Sequence, residues 1–395
     1  MNRESVAIAD VVDINPRLVA GSKPELDELV SFVPMAAVSA ASVSIENPVD
    51  RPYNEVSKGF TPFKRGDILI AKITPCFENG KMAHAHDLPR NLGFGSTEFH
   101  VLRPKNGLDG RYLFQLLRGS FVRKAGETKM KGAAGQRRVP AEFFAALKIP
   151  LPPLAEQQRI AGILDAADKL RAMRRDSLAQ LDTLLQSTFL DLFGDPVTNP
   201  KCPVGQLGDY LTFVTSGGRG WAKYYCENGV RFIRSVDVRM NSISCEEEVF
   251  VDPPDNAEAK RTRVNEDDVL LTITGSRIGR VARASKSLHG AFISQHVAIL
   301  RLDDQLLPEF VARFLSLEGG GQIQISKMQY GQTKPGLNFR QIRSFQIPTP
   351  PIDEQNHFAT IVESVEQQKT HQRTHLAELD TLFAALQQRA FNGEL

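Results

Sequence analysis

Basic side chains are concentrated in one stretch of this 395-residue chain. Between residues 118 and 138 a single acid, Glu127, stands against seven basic residues: Arg118, Arg123, Lys124, Lys129, Lys131, Arg137 and Arg138. A local basic strip is the usual electrostatic footprint for phosphate, although a solvated basic surface gives the same pattern. The net charge of the whole chain is only +2, so total charge does not itself indicate a nucleic-acid partner.

Two glycine-rich loops, GAAGQRR from Gly132 and GQTKPG from Gly331, carry side chains that can hydrogen-bond to base edges. Arginine can donate two bonds to guanine, and glutamine can pair with adenine. Four further polar residues lie at or just after two strand-like runs and could reach the same groove. The candidate DNA-contacting residues are Lys72, Thr74, Gln136, Arg137, Arg138, Ser276, Arg277, Gln332, Thr333 and Lys334. Phosphate contact without sequence information, or plain solvent exposure, is the competing interpretation for each.

The chain shows no complete catalytic motif. The Asp-Pro-Pro-Asp run from Asp252 to Asp255 resembles the Asp-Pro-Pro-aromatic motif of adenine methyltransferases, in which the aromatic ring stacks on a flipped base. Asp255 cannot stack, and no glycine-rich loop for S-adenosylmethionine precedes the run, so a turn is the favoured interpretation. No GxxxxGK[ST] phosphate loop occurs. We therefore expect neither a catalytic residue nor a cofactor in this chain.

Histidine and cysteine spacings do not indicate a metal site. His371 and His375 have helical spacing without an accompanying metalloprotease pattern, so a solvated helix face is expected. His84 and His86 alternate on a strand-like segment, which predicts a surface strand. The four cysteines form no CxxC pair and fit a reducing cytosol, and no apolar run approaches the roughly 20 residues that cross a bilayer. A cytoplasmic location away from membranes is expected.

One half of the chain repeats the other. IPLPPLAEQQRIAGIL from Ile149 recurs as IPTPPIDEQNHFATIV from Ile347, an offset of 198 residues. From Ile149 to Phe193, 16 of 45 positions are identical to their partners, where random pairing would give roughly 3. The repetition predicts one unit made twice, a globular segment followed by a long helix.

The globular segments match more loosely. DILIAKIT from Asp67 parallels DVLLTIT from Asp268, and both runs are typical of strands buried on both faces. A short helix is expected around residues 112–117 in the first half and 310–315 in the second. The halves thus share a scaffold but differ in most side chains, which predicts similar folds with different surfaces.

Each long helix is predicted to begin at a Pro-Pro pair, since proline is tolerated in a first helical turn. Glu156 and Glu354 fall in that turn, where the helix dipole favours acids. Leucine-rich rows repeat every seven residues, as in a coiled coil: Ile160, Ala167, Leu181 and Thr188 in one row, and Leu164, Leu178, Leu185 and Leu192 in the other. Antiparallel pairing of the two helices is favoured over the alternative that each packs on its own globular segment.

A first helix from about residue 155 to 192 would be roughly 57 Å long, at about 1.5 Å per residue. That length corresponds to roughly 17 base pairs at about 3.4 Å per step. With one globular segment at either end of such a rod, two related but different heads would read two short DNA sequences separated by an unread spacer. Their pseudo-twofold relation also suits the dyads of duplex DNA.

The duplicated Pro-Pro-x-x-Glu-Gln signature with its leucine-rich helix, the GQTKPGLNF loop from Gly331 and the whole-chain duplication resemble the specificity subunit of a type I restriction-modification enzyme. The resemblance covers essentially the whole chain. It implies an α+β fold with two homologous target-recognition domains and two long antiparallel helices. The implied segments are a first domain at 1–148, a connector helix at 149–195, a second domain at 196–346 and a C-terminal connector helix at 347–395.

The same resemblance implies a non-catalytic function. Each target-recognition domain would read one half of a bipartite site in double-stranded DNA, and the helices would set the spacer. Two methyltransferase subunits and the restriction subunits would be the protein partners. The helix-start residues assigned to docking them are Glu156, Gln157, Glu354 and Gln355. The first loop lacks the Leu-Asn pair that Leu337 and Asn338 supply in the second.

Two alternatives from other functional classes remain open. A single-chain DNA methyltransferase or nuclease with a bipartite target would require the cofactor motifs that the sequence lacks. A coiled-coil adaptor that binds two proteins would show no steep salt dependence of DNA affinity, because it would displace no counterions from phosphate.

Overall fold

A computed structural model describes residues 5–19, 23–40, 45–133, 135–195, 199–329 and 336–395. The chain forms two compact units. The first comprises Met1–Ser177 and Gln372–Leu395, and the second comprises Leu178–His371. Each unit therefore contains one globular segment together with parts of both long helices. The four-segment division of the sequence stays a prediction.

The first unit mixes short helices with two small sheets. Its strands are β1 Ser5–Ala7, β2 Val12–Ile14, β3 Leu29–Val33, β4 Val49–Pro52, β5 Thr61–Lys64, β6 Ile68–Ala71, β7 Met82–His84, β8 Leu92–Gly95, β9 Phe99–Pro104 and β10 Lys148–Pro150. Its helices are α1 Ile8–Val11, α2 Tyr53–Val56, α3 Gly110–Leu117, α4 Ser120–Lys129, α5 Ala141–Ala146 and the first part of α6 Leu154–Phe193.

Two four-stranded sheets organise this first unit. One has the order β2-β9-β6-β7 and is antiparallel throughout. The other has the order β4-β3-β8-β5, with a parallel pair between β3 and β8. Strands β1 and β10 pair separately and tie the start of the chain to the residues just before α6.

The second unit repeats this plan. Its strands are β11 Gly194–Asp195, β12 Asn199–Pro200, β13 Val204–Gln206, β14 Leu211–Ser216, β15 Tyr225–Cys226, β16 Val230–Ile233, β17 Val238–Arg239, β18 Ser242–Ile243, β19 Val249–Val251, β20 Val269–Thr272, β21 Val281–Arg283, β22 Phe292–Ile293, β23 Val297–Leu302 and β24 Gln346–Pro348. Its helices are α7 Ala257–Arg261, α8 Pro308–Ser316, α9 Ile323–Met328, α10 Phe339–Arg343 and the first part of α11 Ile352–Asn392.

The sheet topology confirms the predicted repetition. The order β14-β23-β20-β21 matches β2-β9-β6-β7 strand for strand, and β13 pairs with β24 as β1 pairs with β10. The second sheet, β15-β19-β16-β22, keeps the parallel pair of its counterpart but has a different edge. Strand β5 of the first unit is replaced there by a single bridge between Arg263 and Phe292.

The strands predicted at Asp67 and Asp268 are confirmed, since every residue of β6 and β20 is buried. The aspartate before each strand is buried as well and accepts two hydrogen bonds from one arginine. Arg103 bonds to Asp67 at 2.6 and 2.7 Å, and Arg301 bonds to Asp268 at 2.7 and 2.8 Å. These hydrogen bonds raise the pKa of both guanidinium groups, so the same ion pair joins equivalent strands in the two units.

Both long helices begin directly after their Pro-Pro pairs, as the sequence predicts. They pack antiparallel inside each unit. In the first unit Arg171 bonds to Asp380 at 2.6 Å, and in the second unit Lys369 bonds to Asp182 at 2.7 Å. Each helix also packs on the globular core of its own half, because Ile160 of α6 is buried in the core of the first unit and Phe358 of α11 in that of the second. The two packing alternatives are therefore both realised.

The heptad row does not continue to the end of α6. Leu185 is buried, but Leu192 is exposed, whereas Phe189 and Phe193 are fully buried. Their rings contact Phe310 and Phe358 at centroid distances of 5.0 to 5.7 Å. The extrapolated row was wrong here because this end of α6 enters a globular core, and the residues buried there follow the i, i+4 spacing of one helix face.

No helix among the described residues is long and apolar enough to cross a membrane.

Candidate nucleic-acid interface

The two candidate stretches of the first unit lie side by side. The backbone N–H of Thr74 donates to the carbonyl of Arg137 at 2.9 Å, and the N–H of Val139 donates to the carbonyl of Lys72 at 2.9 Å. Strand β6 thus ends against the loop between α4 and α5. Lys72, Thr74, Gln136, Arg137 and Arg138 are brought together into one surface, although some 60 residues of sequence separate the two groups.

Both arginines of this surface are paired with glutamates. Arg137 Nη2 lies 2.7 Å from Glu78 Oε1. Arg138 uses Nε and Nη2 on the two oxygens of Glu98, at 3.0 and 2.8 Å, while its Nη1 donates to the carbonyl of Gln136 at 3.2 Å. The arginine side chains remain about 43% and 44% exposed, so each guanidinium is oriented by a carboxylate and still open to solvent.

The hydrogen bond from Arg138, and then its charge, lower the pKa of Glu98. Glu98 therefore stays ionised at neutral pH and below it. The same bond raises the pKa of Arg138, which is charged under all ordinary conditions. Glu78 and Glu98 were not selected from the sequence, because an isolated glutamate carries no motif. Only the fold places them opposite the two arginines.

His100 fixes the base of the loop. Its Nε2 lies 2.9 Å from the carbonyl of Val139, and its Nδ1 lies 3.1 Å from Asn15 Nδ2. The ring is buried, and burial lowers its pKa. A neutral ring that donates from Nε2 and accepts at Nδ1 satisfies both contacts. The loop is therefore attached to β9 as well as to β6.

The second unit has an equivalent loop attachment. The N–H of Leu337 donates to the carbonyl of Ile273 at 2.9 Å, just as Val139 bonds to Lys72 in the first unit. Ser276 is exposed and Arg277 half-buried in the turn that follows β20. The remaining candidates lie outside the described residues: Gln332, Thr333 and Lys334.

The Leu-Asn pair of the second loop has a structural explanation. Leu337 is buried, and Asn338 caps α10. The Asn338 side chain accepts from the N–H of Gln341, and the Gln341 side chain accepts from the N–H of Asn338, both at 2.8 to 2.9 Å. This capping box stabilises the first turn of the helix. Pro140 stands at the corresponding cap of α5, where no side chain makes a capping hydrogen bond.

Equivalent positions on the two scaffolds carry different chemistry. The N–H of Lys72 bonds to the carbonyl of Glu98, and the N–H of Ile273 bonds to that of His296, so Glu98 and His296 correspond. By the same backbone pairing Arg138 corresponds to Gly336. A hydrogen bond between His296 and Thr274 occupies the place of the Arg138–Glu98 ion pair. The two units therefore present different donors and acceptors from one framework.

The helix-start glutamines are buried inside their own units. Gln157 and Gln355 are both fully buried, and each amide makes three hydrogen bonds to backbone groups. The predicted docking of partner subunits through these two side chains is at odds with that burial, because a saturated, enclosed amide cannot reach a partner's surface.

The helix-start glutamates remain accessible. Glu354 is exposed in the first turn of α11, and Glu156 is half-buried and bonded to Arg159 at 2.8 and 3.0 Å. Arg159 also donates to the carbonyl oxygen of Leu395 at 2.8 Å, which ties the start of α6 to the end of α11 within the first unit. Their docking role stays a prediction.

The run from Asp252 to Asp255 forms the connection between β19 and α7, in agreement with the turn interpretation. Asn256, the next residue, caps α7 through the N–H of Ala259 at 2.8 Å. Asp255 is exposed and lies 2.9 Å from Lys260. The run is therefore a helix-starting segment.

His371 and His375 are exposed on α11, as predicted for a solvated helix face. The surface-strand prediction was wrong for His84, which is buried at the end of β7 and stacks on His86 and Phe114. Burial, followed by the charge of His86, lowers the pKa of His84 to about 4. The sequence pattern missed this because α3 packs over that face of the strand. Within the described part of the chain, no group of three metal-ligating side chains is assembled.

Comparison with known proteins identifies the family of these two units. Residues 4–183 and 226–380 match the family model described as the type I restriction modification DNA specificity domain. The EcoAI type I restriction enzyme specificity subunit of Escherichia coli is 38% identical over 184 residues, which are 45% of this chain and 30% of that protein. The EcoKI specificity subunit of Escherichia coli strain K12 is 26% identical over 339 residues, covering 80% of this chain and 72% of that protein.

The fold also matches solved structures. One chain, from work on complex assembly and conformational transition of the type I restriction-modification system, aligns with a TM-score of 0.57 at 20% identity. The alignment covers 99% of this chain and 98% of that one. At this identity the likeness establishes the fold alone. The match to the EcoAI subunit spans less than a third of that protein.

Proposed function

Because the chain belongs to the type I restriction-modification DNA specificity family, we propose that it is the DNA-sequence specificity subunit of such an enzyme. Each unit reads one half of a bipartite site in double-stranded DNA, and the two long helices fix the length of the unread spacer. The chain contributes no catalytic group. Methylation and cleavage belong to methyltransferase and restriction subunits that dock on it in the cytoplasm.

This proposal rests on the loop that occurs in both units at the same place and carries different side chains in each. The same backbone attachment, strand end to loop, occurs in both units. At equivalent positions it carries Glu98 and Arg138 in one unit and His296 and Gly336 in the other. A duplicated scaffold with different hydrogen-bonding groups is what the recognition of two different base sequences requires, since donors and acceptors on side chains carry the sequence information.

Phosphate contacts are expected around these base-reading groups. The basic strip from Arg118 to Arg138 includes α4, whose Arg123 and Lys124 lie next to the loop in sequence. Such contacts position a protein on the duplex and supply most of the sequence-independent affinity. Arg118, in contrast, is ion-paired with Asp168 and only 12% exposed, so it belongs to the helix packing rather than to the interface.

The proposal is tested by exchanging residues 196–346 for the equivalent segment of a relative with a different target. The hybrid is assembled with methyltransferase subunits, and the methylated adenines in the host genome are mapped. One half of the recognised sequence should change and the other should stay the same. A change in both halves would show that the units do not read independently, and methyl transfer by the purified chain alone would contradict the non-catalytic assignment.

A further inference from the structure

We propose that Glu78 and Glu98 are specificity-determining positioning residues, which make Arg137 and Arg138 readers of base edges rather than general phosphate contacts. This inference rests on the proposed function and extends it to two residues that touch no DNA themselves. It starts from the ion pairs at 2.7 Å for Arg137 and at 2.8 and 3.0 Å for Arg138.

The geometry at Arg138 leaves a usable donor pair. A guanidinium has five N–H groups, one on Nε and two on each Nη. Glu98 takes one from Nε and one from Nη2, and the carbonyl of Gln136 takes one from Nη1. Nη1 and Nη2 each retain one N–H, and two adjacent N–H groups match the O6 and N7 acceptors of guanine. Glu98 can therefore stay in place and hold the plane of the guanidinium while the arginine reads a base.

The carboxylates also change what the arginines prefer. A free surface arginine binds any phosphate, because displacement of counterions favours that contact regardless of sequence. The ion pair formed by an arginine and a carboxylate carries little net charge, so its attraction to the DNA backbone is reduced. The N–H groups of the arginine that remain free can still donate to a base. The pairs should thus lower sequence-independent affinity more than they lower affinity for the correct base.

At the described equivalent positions, the second unit has other residues. His296 takes the place of Glu98, and Gly336 takes the place of Arg138. The inference therefore concerns only the half-site that the first unit reads. The other half-site is an internal control within the same molecule and the same experiment.

The test uses the complete chain assembled with methyltransferase subunits, carrying Glu98→Gln or Glu78→Gln. Affinity is measured for a duplex with the bipartite site and for a scrambled duplex, each at several salt concentrations. We expect the ratio of the two affinities to fall about tenfold, which is the scale of one misaligned arginine–guanine contact. Binding to scrambled DNA should strengthen, and its logarithmic salt slope should steepen by about one. Glu55→Gln, which removes an exposed carboxylate on α2, is the matched control and should change neither quantity.

Arg138→Lys separates orientation from charge. Lysine keeps the positive charge but has no planar fork. This variant should bind scrambled DNA about as well as the original chain and lose discrimination in the first half-site. Mapping of methylated adenines should then show relaxed bases in one half of the target and an unchanged second half.

Failure of this inference can be distinguished from failure of the proposed function. If the unaltered complex prefers its site but Glu98→Gln and Glu78→Gln leave the affinity ratio unchanged, the inference is overturned and the proposed function stands. Relaxation of both half-sites would also overturn it, because Glu78 and Glu98 face arginines of the first unit. If the unaltered complex shows no sequence preference, the proposed function and the inference fall together.

Discussion

Gln157 and Gln355 lie 198 residues apart and make the same three hydrogen bonds. The oxygen of Gln157 accepts from the N–H of Asp109 at 2.8 Å, and its nitrogen donates to the carbonyls of Gly107 and Pro152 at 2.9 and 2.8 Å. Gln355 makes the same three hydrogen bonds, at 2.8 to 2.9 Å, with the residues that lie 198 positions after those three. The identity of this residue in both repeats is therefore a requirement of the fold, where each long helix meets the loop before α3 or α8.

Replacing Gln157 with alanine should destabilise the first unit by about 2–4 kcal/mol, because it removes three hydrogen bonds and leaves the buried carbonyl of Pro152 without this partner. Urea unfolding of the chain measures the loss. The neighbouring Gln158 is exposed, so Gln158→Ala is the matched control and should cost less than about 0.5 kcal/mol. Equal losses for the two variants would contradict the anchoring role.

The stability of the first unit should fall as the pH is lowered from about 6.5 to about 4. His84 has a pKa of about 4 in the folded chain, against an ordinary value of 6.5. Between these two pH values the unfolded chain binds a proton that the folded chain does not bind, so the free energy of unfolding rises with pH. Above pH 6.5 the neutral His84 ring accounts for on the order of 3 kcal/mol of the free energy of unfolding, and this amount is lost as the pH falls towards 4.

Urea unfolding at pH 7, 6 and 5 checks this dependence. His84→Gln should flatten the profile, whereas His371→Gln on the exposed face of α11 should not. Some slope should remain in His84→Gln, because burial lowers the pKa of His100 as well. An unchanged slope in His84→Gln would show that the ring binds a proton equally well in the folded and the unfolded chain.

The sequence predicted the parts of the fold that depend on pattern. Repetition located both units, unbroken apolar runs located β6 and β20, and the Pro-Pro pairs marked where both long helices begin. These features are encoded locally, and they survive tertiary packing because burial and helix initiation act on neighbouring residues. The extrapolated coiled-coil row failed at Leu192, because the partners of that helix end come from a distant globular core.

The candidate interface was predicted only in part. Residue type and loop position selected Arg137 and Arg138, and the fold then placed Lys72 and Thr74 beside them. Glu78 and Glu98 could not be found, because a carboxylate that faces an arginine 40 or 59 residues away leaves no spacing signal. For Gln157 the sequence suggested docking of a partner, and the structure shows only internal hydrogen bonds. A polar residue that recurs in both repeats resembles a functional residue even when it serves the fold.

Replacing Arg137 and Arg138 together with alanine should weaken binding of the assembled complex to its site. The expected cost is about 1–3 kcal/mol for each base contact that is lost. If the arginines touch only phosphate, affinity should fall similarly on every sequence and the salt slope should shrink. Lys105→Ala, at an exposed position after β9, is the control for a general loss of positive charge. Unchanged binding by the double variant would remove both residues from the interface.

Lengthening both helices should change the spacer of the target and leave the half-site bases unchanged. Four residues inserted after Ser177 in α6, matched by four after His371 in α11, add roughly 6 Å at about 1.5 Å per residue. That is close to two base pairs of rise at about 3.4 Å per step. The insertions fall where the first unit meets the second in sequence, so each globular segment keeps its own helix contacts.

Two ion pairs explain why the insertions must be matched. Lys369 bonds to Asp182 within the second unit, and Arg171 bonds to Asp380 within the first. An insertion in α6 alone would lengthen one helix against an unchanged partner and force one of these antiparallel contacts out of register, so the single insertion should abolish activity. The double insertion preserves both contacts. Mapping of methylated adenines in cells that carry it decides the matter. If active enzyme still modifies the original spacing, the helices do not set the distance between half-sites and serve only as docking surfaces for the partner subunits.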